Sequence, residues 1–317
     1  MTEKKPKVSV CVVTYNQENY IRQCLQSIVD QATDFDFEII VGDDCSTDGT
    51  PSIVYEFLEK YPKIFKAIFH EKNMGGVKNY LDVHNLASGE YIAHMDGDDF
   101  WLSGKLKAQI DFLQTNLKCT AVYSNAVVVS KSEKFMGIFN NKIPEMFEIG
   151  YLLQKGNFLN NSSFVYRSAI RKKIFPLKEN FIDYHVHLRC ALHGNLGFIN
   201  KVLVGYRRVS NGIASSSSGM VRNLYWQALA DIYRIDKKTP HLKSAISDFM
   251  ASIICVSLRN GNFREMFVWW KIVKKDAGLI GNQVLIVSLA KAVGKIIAYV
   301  RNNFLPKKYK SIIFSPR

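Results

Sequence analysis

The sequence predicts an α/β protein with a mainly parallel sheet, followed by a helical and strongly basic C-terminal region. Three observations support this fold class. Short apolar, β-branched segments alternate with amphipathic segments through the first 130 residues, which is typical of strands covered by helices on both faces. Polar residues follow three of the apolar segments directly. Beyond residue 205 the apolar spacing becomes helical.

The first 130 residues contain five predicted strands and four predicted helices. The strands cover residues 8–14, 37–43, 66–70, 91–96 and 120–130. The helices cover residues 18–31, 51–61, 77–87 and 105–116. Thr50 before Pro51 is a typical helix start, with a capping hydroxyl and a proline at the first helical position. In such sheets ligands bind beyond the carboxyl ends of the strands.

The C-terminal region carries most of the charge. The chain has a net charge of +14, and the segment from Ser218 onward holds 17 Lys and Arg against 5 Asp and Glu. This shift predicts a catalytic domain over residues 1–215 and a basic helical region over residues 216–317. Helices are predicted at residues 220–236, 242–259, 263–275 and 284–301.

The last predicted helix places Lys291, Lys295 and Asn302 along one face. Such a cationic amphipathic helix fits an anionic membrane surface, and it equally fits a helical cap with a solvated basic face. No recognition motif supports binding to nucleic acid.

Cysteine usage and the N-terminal segment predict a cytoplasmic protein. The six cysteines are scattered and form no C-x-x-C pair, which suits a reducing compartment. The segment before residue 8 is charged and lacks the apolar stretch of a secretory signal. With the basic tail, this favours a peripheral position on the inner face of the cell membrane.

Two acidic clusters follow predicted strands. Asp96, Asp98 and Asp99 are three carboxylates within four residues, and their mutual repulsion favours a hard divalent cation such as Mg²⁺ or Mn²⁺. A solvated acidic turn is the alternative. The second cluster begins at Asp43 and Asp44 and partly matches a calcium loop, but that loop requires a glutamate where this chain has Tyr55.

These motifs resemble those of the family 2 glycosyltransferases, which have the GT-A fold. The resemblance extends over about residues 7–130, with a weaker match to about residue 210. The matching segments are VSVCVVTYN at 8–16, IIVGDDCSTDGT at 39–50, NMGG at 73–76 with Asn79, and GEYIAHMDGDDFW at 89–101.

The resemblance implies a role for each matching residue. Thr14, Tyr15, Asn16 and Asp44 would bind the nucleotide, with Asp96 and Asp98 at the ribose and metal. Asp98 and Asp99 would ligate Mn²⁺ or Mg²⁺, and Asp183 would be the catalytic base. Lys78 would contact the phosphates, or it is simply an exposed helix lysine.

The implied activity is transfer of a single sugar, with inversion, from a nucleotide-diphosphate sugar to a hydroxyl of a lipid-linked, lipopolysaccharide or capsule acceptor. Two other functions remain open. A sugar nucleotidyltransferase also uses a metal and an α/β sheet, but it usually has a glycine-rich loop where this chain has Thr14–Gln17. A non-catalytic membrane-binding scaffold with the same fold is the third possibility.

Overall fold

The computed structural model describes residues 5–175, 180–208, 218–277, 284 and 286–295. These residues form two compact units. The first consists of the described residues of Met1–Glu148 and Phe158–Ser216, and the second consists of Ile149–Asn157 and the described residues from Ser217 to Ser311. The short segment Ile149–Asn157 therefore groups with the helical unit and not with its neighbours in sequence.

The first unit is built on a mixed sheet that has ten strands in the described residues. In chain order they are β1 Val8–Thr14, β2 Phe37–Asp43, β3 Phe65–Phe69, β4 Tyr91–Asp96, β5 Phe100–Trp101, β6 Cys119–Ser130, β7 Phe135–Ile138, β8 Met146–Phe147, β9 Val165–Arg167 and β10 Asn195–Arg208. The main order is β3-β2-β1-β4-β9-β6-β10-β5, with β7 paired to β6 and β8 to β10. β3, β2, β1 and β4 are mutually parallel, and β9 is antiparallel to both its neighbours.

The helices of the described residues alternate with the first strands and then dominate the second unit. They are α1 Ile21–Val29, α2 Thr50–Lys60, α3 Gly76–Leu86, α4 Lys105–Thr115, α5 Ile149–Lys155, α6 Arg171–Ile174, α7 Asp183–Ala191, α8 Ser218–Ile235, α9 Leu242–Asn260 and α10 Phe263–Asp276. The α/β class and the mainly parallel first half of the sheet are confirmed.

The predicted strands and helices of the first 130 residues are all present, and β1, β2 and β4 have the predicted bounds. The predicted capping role of Thr50 is wrong. Gly49 occupies the N-cap position of α2, and the Thr50 hydroxyl instead accepts a hydrogen bond from the Gln17 N–H at 2.8 Å. Because Thr50 is fully buried, its hydroxyl joins the loop after β1 to the start of α2.

The register of the central strands brings the motif residues to one edge. Val13 lies opposite Asp96, and Thr14 lies opposite Asp43. The close approach of α3 depends on Gly42, because a methyl group there would lie 2.1 Å from Oδ1 of Asn79. Asn79 in turn donates to the Gly42 carbonyl at 2.8 Å. The Gly42–Asn79 pair therefore fixes α3 against β2.

The second unit is helical in its described residues. Helices α5, α8, α9 and α10 are joined by further helical residues at 284 and 286–295. The predicted helix at 284–301 is confirmed to residue 295, and its remaining residues and Asn302 lie outside the described residues. Within the described chain, every helix is too short or too polar to cross a bilayer.

Candidate active site

The carboxyl ends of β1, β2 and β4 are joined by backbone hydrogen bonds. The Asp44 N–H donates to the Thr14 carbonyl at 3.1 Å, and the Gly97 N–H donates to the Val13 carbonyl at 2.9 Å. The loops after these three strands therefore start from one place. The structure thus brings Thr14, Asp44 and the acidic turn 96–99 to a common edge of the sheet.

The loop after β1 is fastened to the loop after β2. The Asn16 N–H donates to the Ser46 hydroxyl at 2.8 Å, and Oδ1 of Asn16 accepts from the Thr47 N–H at 2.8 Å. Asn16 adopts a positive φ of 51°, a conformation that asparagine tolerates better than most residues. Asp43 supports the same loop by accepting the Ser46 hydroxyl. The neighbouring Tyr15 remains 46% exposed, so its ring is available to a ligand.

Asp44 organises the NMGG segment. Its side chain is only 2% exposed, and its two oxygens accept the N–H groups of Met74 at 2.7 Å and Gly75 at 2.9 Å. Each carboxylate oxygen can accept a second hydrogen bond. Asp44 is therefore placed to hold the loop before α3 and retains acceptor capacity toward a ligand.

Lys78 pairs with a residue of its own helix. Its ammonium contacts both carboxylate oxygens of Asp82, one turn along α3. The Lys78 side chain is 50% exposed. The structure therefore provides the exposed, ion-paired lysine of the alternative interpretation.

Asp96 stands at the end of β4 and is hydrogen-bonded on both oxygens. Its Oδ1 lies 3.1 Å from Nε2 of the buried His94, and its Oδ2 lies 3.2 Å from the Ser162 hydroxyl. Burial alone favours the neutral acid, but His94, Ser162 and Asn161 outweigh it and lower the pKa of Asp96. Asp96 is therefore an ionised carboxylate at neutral pH, with a side chain that is 37% exposed.

Asp99 is the most enclosed carboxylate of the acidic turn, at 2% exposed. Its oxygens accept from the Arg207 N–H at 2.8 Å and from the Ser162 hydroxyl at 2.6 Å. Burial, with the negative charges of Asp98 and Asp96, raises its pKa well above the ordinary value. Both oxygens of Asp99 already bind protein groups, so metal ligation by Asp99 would use their remaining lone pairs.

Asp98 is more accessible than Asp99 and carries uncompensated charge. Burial and the neighbouring Asp96 raise its pKa to about 6, although Arg207 acts in the opposite direction. The Arg207 guanidinium donates to the Asp98 backbone carbonyl at 2.9 Å and lies 4.7 Å from the Tyr20 ring centroid. Arg207 therefore braces the backbone of the turn without neutralising all of its charge.

Gly97 allows the acidic turn to approach the first loop. A methyl group at this position would lie 2.4 Å from Oε1 of Gln17 and 3.0 Å from Cβ of Thr14. Oε1 of Gln17 also accepts the Thr14 hydroxyl at 2.8 Å. The glycine between the two aspartates is thus required by close packing.

Asp183, the predicted base, is the first residue of α7. Its Oδ1 accepts the Tyr184 N–H at 2.8 Å, and a helix N-terminus stabilises a carboxylate. One phenol connects it with the acidic turn: burial raises the pKa of Tyr206 to about 12, and the charges of Asp99, Asp96, Asp98 and Asp183 add to the effect. All four carboxylates therefore act on Tyr206.

The described residues offer carboxylate oxygens that could bind a divalent cation. No group of three or more His, Cys, Asp or Glu side chains among them forms a cage for a metal. Mg²⁺ and Mn²⁺ are commonly held by one or two carboxylates together with substrate phosphates. Burial, and after it the neighbouring carboxylates, raises the pKa values of Asp98 and Asp99, so protein groups do not fully stabilise their ionised forms. The donor set fits a cation that arrives with a diphosphate.

Sequence reasoning missed three residues of the site. Ser162 and Arg207 bind Asp99 from 63 and 108 residues away, and His94 binds Asp96 from within the strand. Only His94 had a visible signal, a polar residue at an inward position of an apolar strand.

Of the three histidines in and just after α7, two are buried. His187 is fully buried and His185 is 7% exposed, whereas His193 is exposed. The ring of His187 packs edge-on against Tyr123, with centroids 4.9 Å apart.

Comparison with known families identifies one match. The sequence model of glycosyl transferase family 2 matches residues 9–175. An uncharacterised protein of Mycobacterium tuberculosis is 32% identical over 226 residues, which is 69% of this chain and 64% of that protein. The Escherichia coli protein WfaP, whose name is UDP-Glc:α-D-GlcNAc-diphosphoundecaprenol β-1,3-glucosyltransferase, is 28% identical to this chain. The match covers 66% of this chain and 80% of WfaP. The chain thus spans about 64% of the length of the mycobacterial relative.

Two solved structures are similar in fold. TarS of S. aureus, in complex with UDP-GlcNAc, has a TM-score of 0.68 at 20% identity and covers 95% of this chain and 93% of its own. The mannosyltransferase PcManGT of Pyrobaculum calidifontis, in complex with GDP-Man and Mn²⁺, has a TM-score of 0.58 at 17% identity and covers 95% and 88%. At these identities the comparison concerns the fold.

Proposed function

The chain belongs to glycosyl transferase family 2 and has the GT-A fold, and from this premise we propose that it transfers one sugar, with inversion, from a nucleotide-diphosphate sugar to an acceptor hydroxyl. The observation that carries the proposal is that the ends of β1, β2 and β4 bring Thr14, Asp44 and the acidic turn 96–99 to one edge of the sheet. An inverting transfer needs charge stabilisation on the leaving side and a base on the attacking side. The site contains candidates for both.

The loops after β1 and β2 would bind the nucleotide. The exposed ring of Tyr15 offers a stacking surface, and the retained lone pairs of Asp44 offer acceptors to a base N–H. Thr14 and Asn16 position these two groups through the loop contacts described above. Asp96, ionised and held on both oxygens, is placed to accept ribose hydroxyls.

We assign the diphosphate end to Asp98 and Asp99. Bound there with the substrate, Mn²⁺ or Mg²⁺ would neutralise the charge that develops on the departing nucleoside diphosphate. Asp98 is the more exposed ligand, and Asp99 supports it from within the fold. The Mn²⁺ in the structure of the similarly folded PcManGT is consistent with this assignment.

Asp183 is proposed as the base that takes the proton of the acceptor hydroxyl. Replacing Asp183 with Asn keeps the size of the side chain and the hydrogen bond to Tyr184 but removes the basic oxygen. We expect transfer to fall by about 10²–10⁴-fold, while titration of UDP or GDP with Mn²⁺ still shows binding. A variant that retains wild-type turnover would exclude Asp183 as the base.

The proposed acceptor is a lipid-linked saccharide, as the printed name of WfaP describes for that relative. The proposed donor is a UDP- or GDP-sugar, in line with the ligands of the two similar structures. Transfer from a panel of both donor types to undecaprenyl-diphosphate-linked GlcNAc, measured with and without Mn²⁺, tests the function directly. Wild-type protein that neither binds nor turns over any donor in the presence of Mn²⁺ or Mg²⁺ would contradict it.

The helical unit is proposed to bind the anionic inner surface of the cell membrane, where such an acceptor is held. One side of α10 exposes Phe263, Phe267 and Val268 at 50%, 58% and 48%. The same side exposes four cations, Arg264, Lys271, Lys274 and Lys275. Aromatic groups interspersed with cations are typical of helices that lie in the headgroup plane.

Phe267→Glu tests this surface with vesicles. Burying a phenylalanine is worth about 2 kcal/mol, or roughly 30-fold in affinity, so binding to phosphatidylglycerol-containing vesicles is expected to fall by at least that factor. Phe135→Glu, at a phenylalanine of the first unit that is 62% exposed, is the matched control. Equal binding by the Phe267 variant and the wild type would refute the proposed membrane surface.

A further inference from the structure

A chain of buried side chains runs from the core of the first unit to Asp96. The Tyr166 hydroxyl lies 2.9 Å from Nδ1 of His84, and Nε2 of His84 lies 3.0 Å from Nδ1 of His94. Nε2 of His94 then lies 3.1 Å from Oδ1 of Asp96. Tyr166, His84 and His94 are each fully buried, and they come from β9, α3 and β4. Four groups from three elements thus form one continuous series of hydrogen bonds.

The direction of these hydrogen bonds follows from the donors available. An ionised Asp96 only accepts, so His94 must carry a proton on Nε2. A neutral His94 then accepts at Nδ1, which requires the proton of His84 to be on Nε2. His84 in turn accepts at Nδ1 from the Tyr166 hydroxyl. In this arrangement every N–H and O–H donor of the series has an acceptor.

The reverse direction satisfies fewer groups. It requires a doubly protonated His94 that donates to both Asp96 and His84, and a His84 that donates to the Tyr166 oxygen. The hydroxyl proton of the buried Tyr166 would then have no acceptor within this series of hydrogen bonds. Burial is the main cause that lowers the pKa of His84 well below its usual value, which agrees with a neutral imidazole at this position.

We infer that Tyr166, His84 and His94 form a positioning relay that fixes the orientation of the Asp96 carboxylate. This inference rests on the proposed role of Asp96 in donor binding. None of the three residues touches the substrate in this account. They act by holding one tautomer of His94, so that Asp96 presents the same oxygen, Oδ2, toward Ser162 and the ligand side. Groups that hold a ligand-binding residue in this way commonly contribute 10–100-fold to affinity or activity.

Aromatic packing makes the relay rigid and supplies a control. The Tyr80 ring stacks on His84 with centroids 4.0 Å apart and lies 4.6 Å from His94. The Tyr80 hydroxyl, however, has no hydrogen-bond partner among the described residues. Tyr80→Phe therefore changes the same aromatic cluster without removing a hydrogen bond of the relay.

The first test reads the tautomers in the full-length protein. Histidine labelled with ¹⁵N, observed by long-range proton–nitrogen correlation near neutral pH, distinguishes protonation at Nδ1 from protonation at Nε2. We expect His84 and His94 both to be neutral with the proton on Nε2, with resonances assigned from single histidine substitutions. A proton on Nδ1 of His94, or a doubly protonated His94, would overturn the relay. This readout needs neither metal nor activity.

The second test measures binding of UDP or GDP, whichever the wild type binds, in the presence of Mn²⁺. His84→Leu removes the hydrogen-bond donor to His94 at a residue that does not itself contact Asp96. We expect the affinity for the nucleoside diphosphate to fall by about tenfold or more. His84→Gln, whose amide N–H can replace Nε2–H, is expected to recover most of that loss, and Tyr80→Phe to bind as wild type.

Two results of the binding test contradict the relay. The first is unchanged affinity in His84→Leu. The second is an equal loss in Tyr80→Phe and His84→Leu, which would show that packing alone matters. Wild-type protein that binds no nucleoside diphosphate would refute the proposed function instead, and the tautomer measurement would still decide whether the relay exists.

Discussion

The buried imidazole of His187 makes the stability of the first unit sensitive to mild acid. Both ring nitrogens lie in the core without a hydrogen-bond partner among the described residues. Burial, together with the nearby His94, lowers the pKa of His187 from 6.5 to about 3. We predict that His187→Leu, which fills a similar volume, abolishes part of the loss of stability on acidification.

The sign and size follow from proton linkage. The pKa is lower in the folded state, so as pH falls below about 6.5 the unfolded chain takes up a proton that the folded chain refuses. Each pH unit in this range costs about 1.4 kcal/mol. Between pH 7 and pH 5 the contribution of His187 amounts to a loss of about 2 kcal/mol, and the loss stops growing only near pH 3.

Urea unfolding at the two pH values measures this contribution. The change in free energy of unfolding between pH 7 and pH 5 is expected to be about 2 kcal/mol smaller in His187→Leu than in the wild type. His193→Leu, at the exposed histidine two residues beyond the end of α7, is expected to retain most of the wild-type loss, because partial burial with Lys173 and Arg189 lowers the pKa of that imidazole in the same direction but without full burial. If His187→Leu loses as much stability as the wild type, the imidazole is reached by water and the reasoning is wrong.

Two further predictions concern close packing and a buried charge. Gly97→Ala places a methyl group 2.4 Å from Oε1 of Gln17, so we expect the free energy of unfolding to fall by about 1–3 kcal/mol. Gly219→Ala is the control: a methyl group there would have no atom within 4 Å, and the substitution should not destabilise the protein. Lys105 is fully buried with Nζ 3.8 Å from the Trp101 ring centroid. A cation–π contact stabilises an ammonium by at most about 2 kcal/mol, whereas burying the charge costs several kcal/mol. Burial therefore lowers the pKa of Lys105. Because the unfolded chain holds this proton more tightly than the folded chain, stability should rise as pH approaches 10.5, the ordinary pKa of lysine, and Lys105→Met should remove that rise in thermal unfolding.

The core of the fold was predictable because its signals are local. Strands β1, β2 and β4 are continuous apolar segments buried on both faces, and each ends in a polar motif. Their parallel pairing then places Thr14, Asp44 and Asp96 together, as the sequence analysis required. The two-residue strands β5 and β8 and the three-residue β9 are too short to show any periodicity. They exist because longer neighbours offer unpaired edges.

The groups that support the site were less predictable because they are distant in sequence. Ser162 reaches Asp99 only after β6, β7 and β8 have formed, and Arg207 lies near the end of β10. Histidine is on average only intermediate in burial, yet His185 and His187 of α7 are both buried. The ring of His187 packs against Tyr123 of β6 and against Phe164, which directly precedes β9. Tertiary packing thus overrides a preference that sequence alone reports.

The crowding of carboxylates in the turn 96–99 links the fold to its ionic surroundings. Burial, and after it repulsion by the neighbouring carboxylates, raises the pKa values of Asp98 and Asp99, so the ligand-free protein bears an electrostatic strain that the unfolded chain does not. A bound divalent ion would relieve this strain only in the native state, and its binding free energy would add directly to resistance against heat. The thermal denaturation midpoint would then serve as a gauge of occupancy before any sugar or acceptor is known.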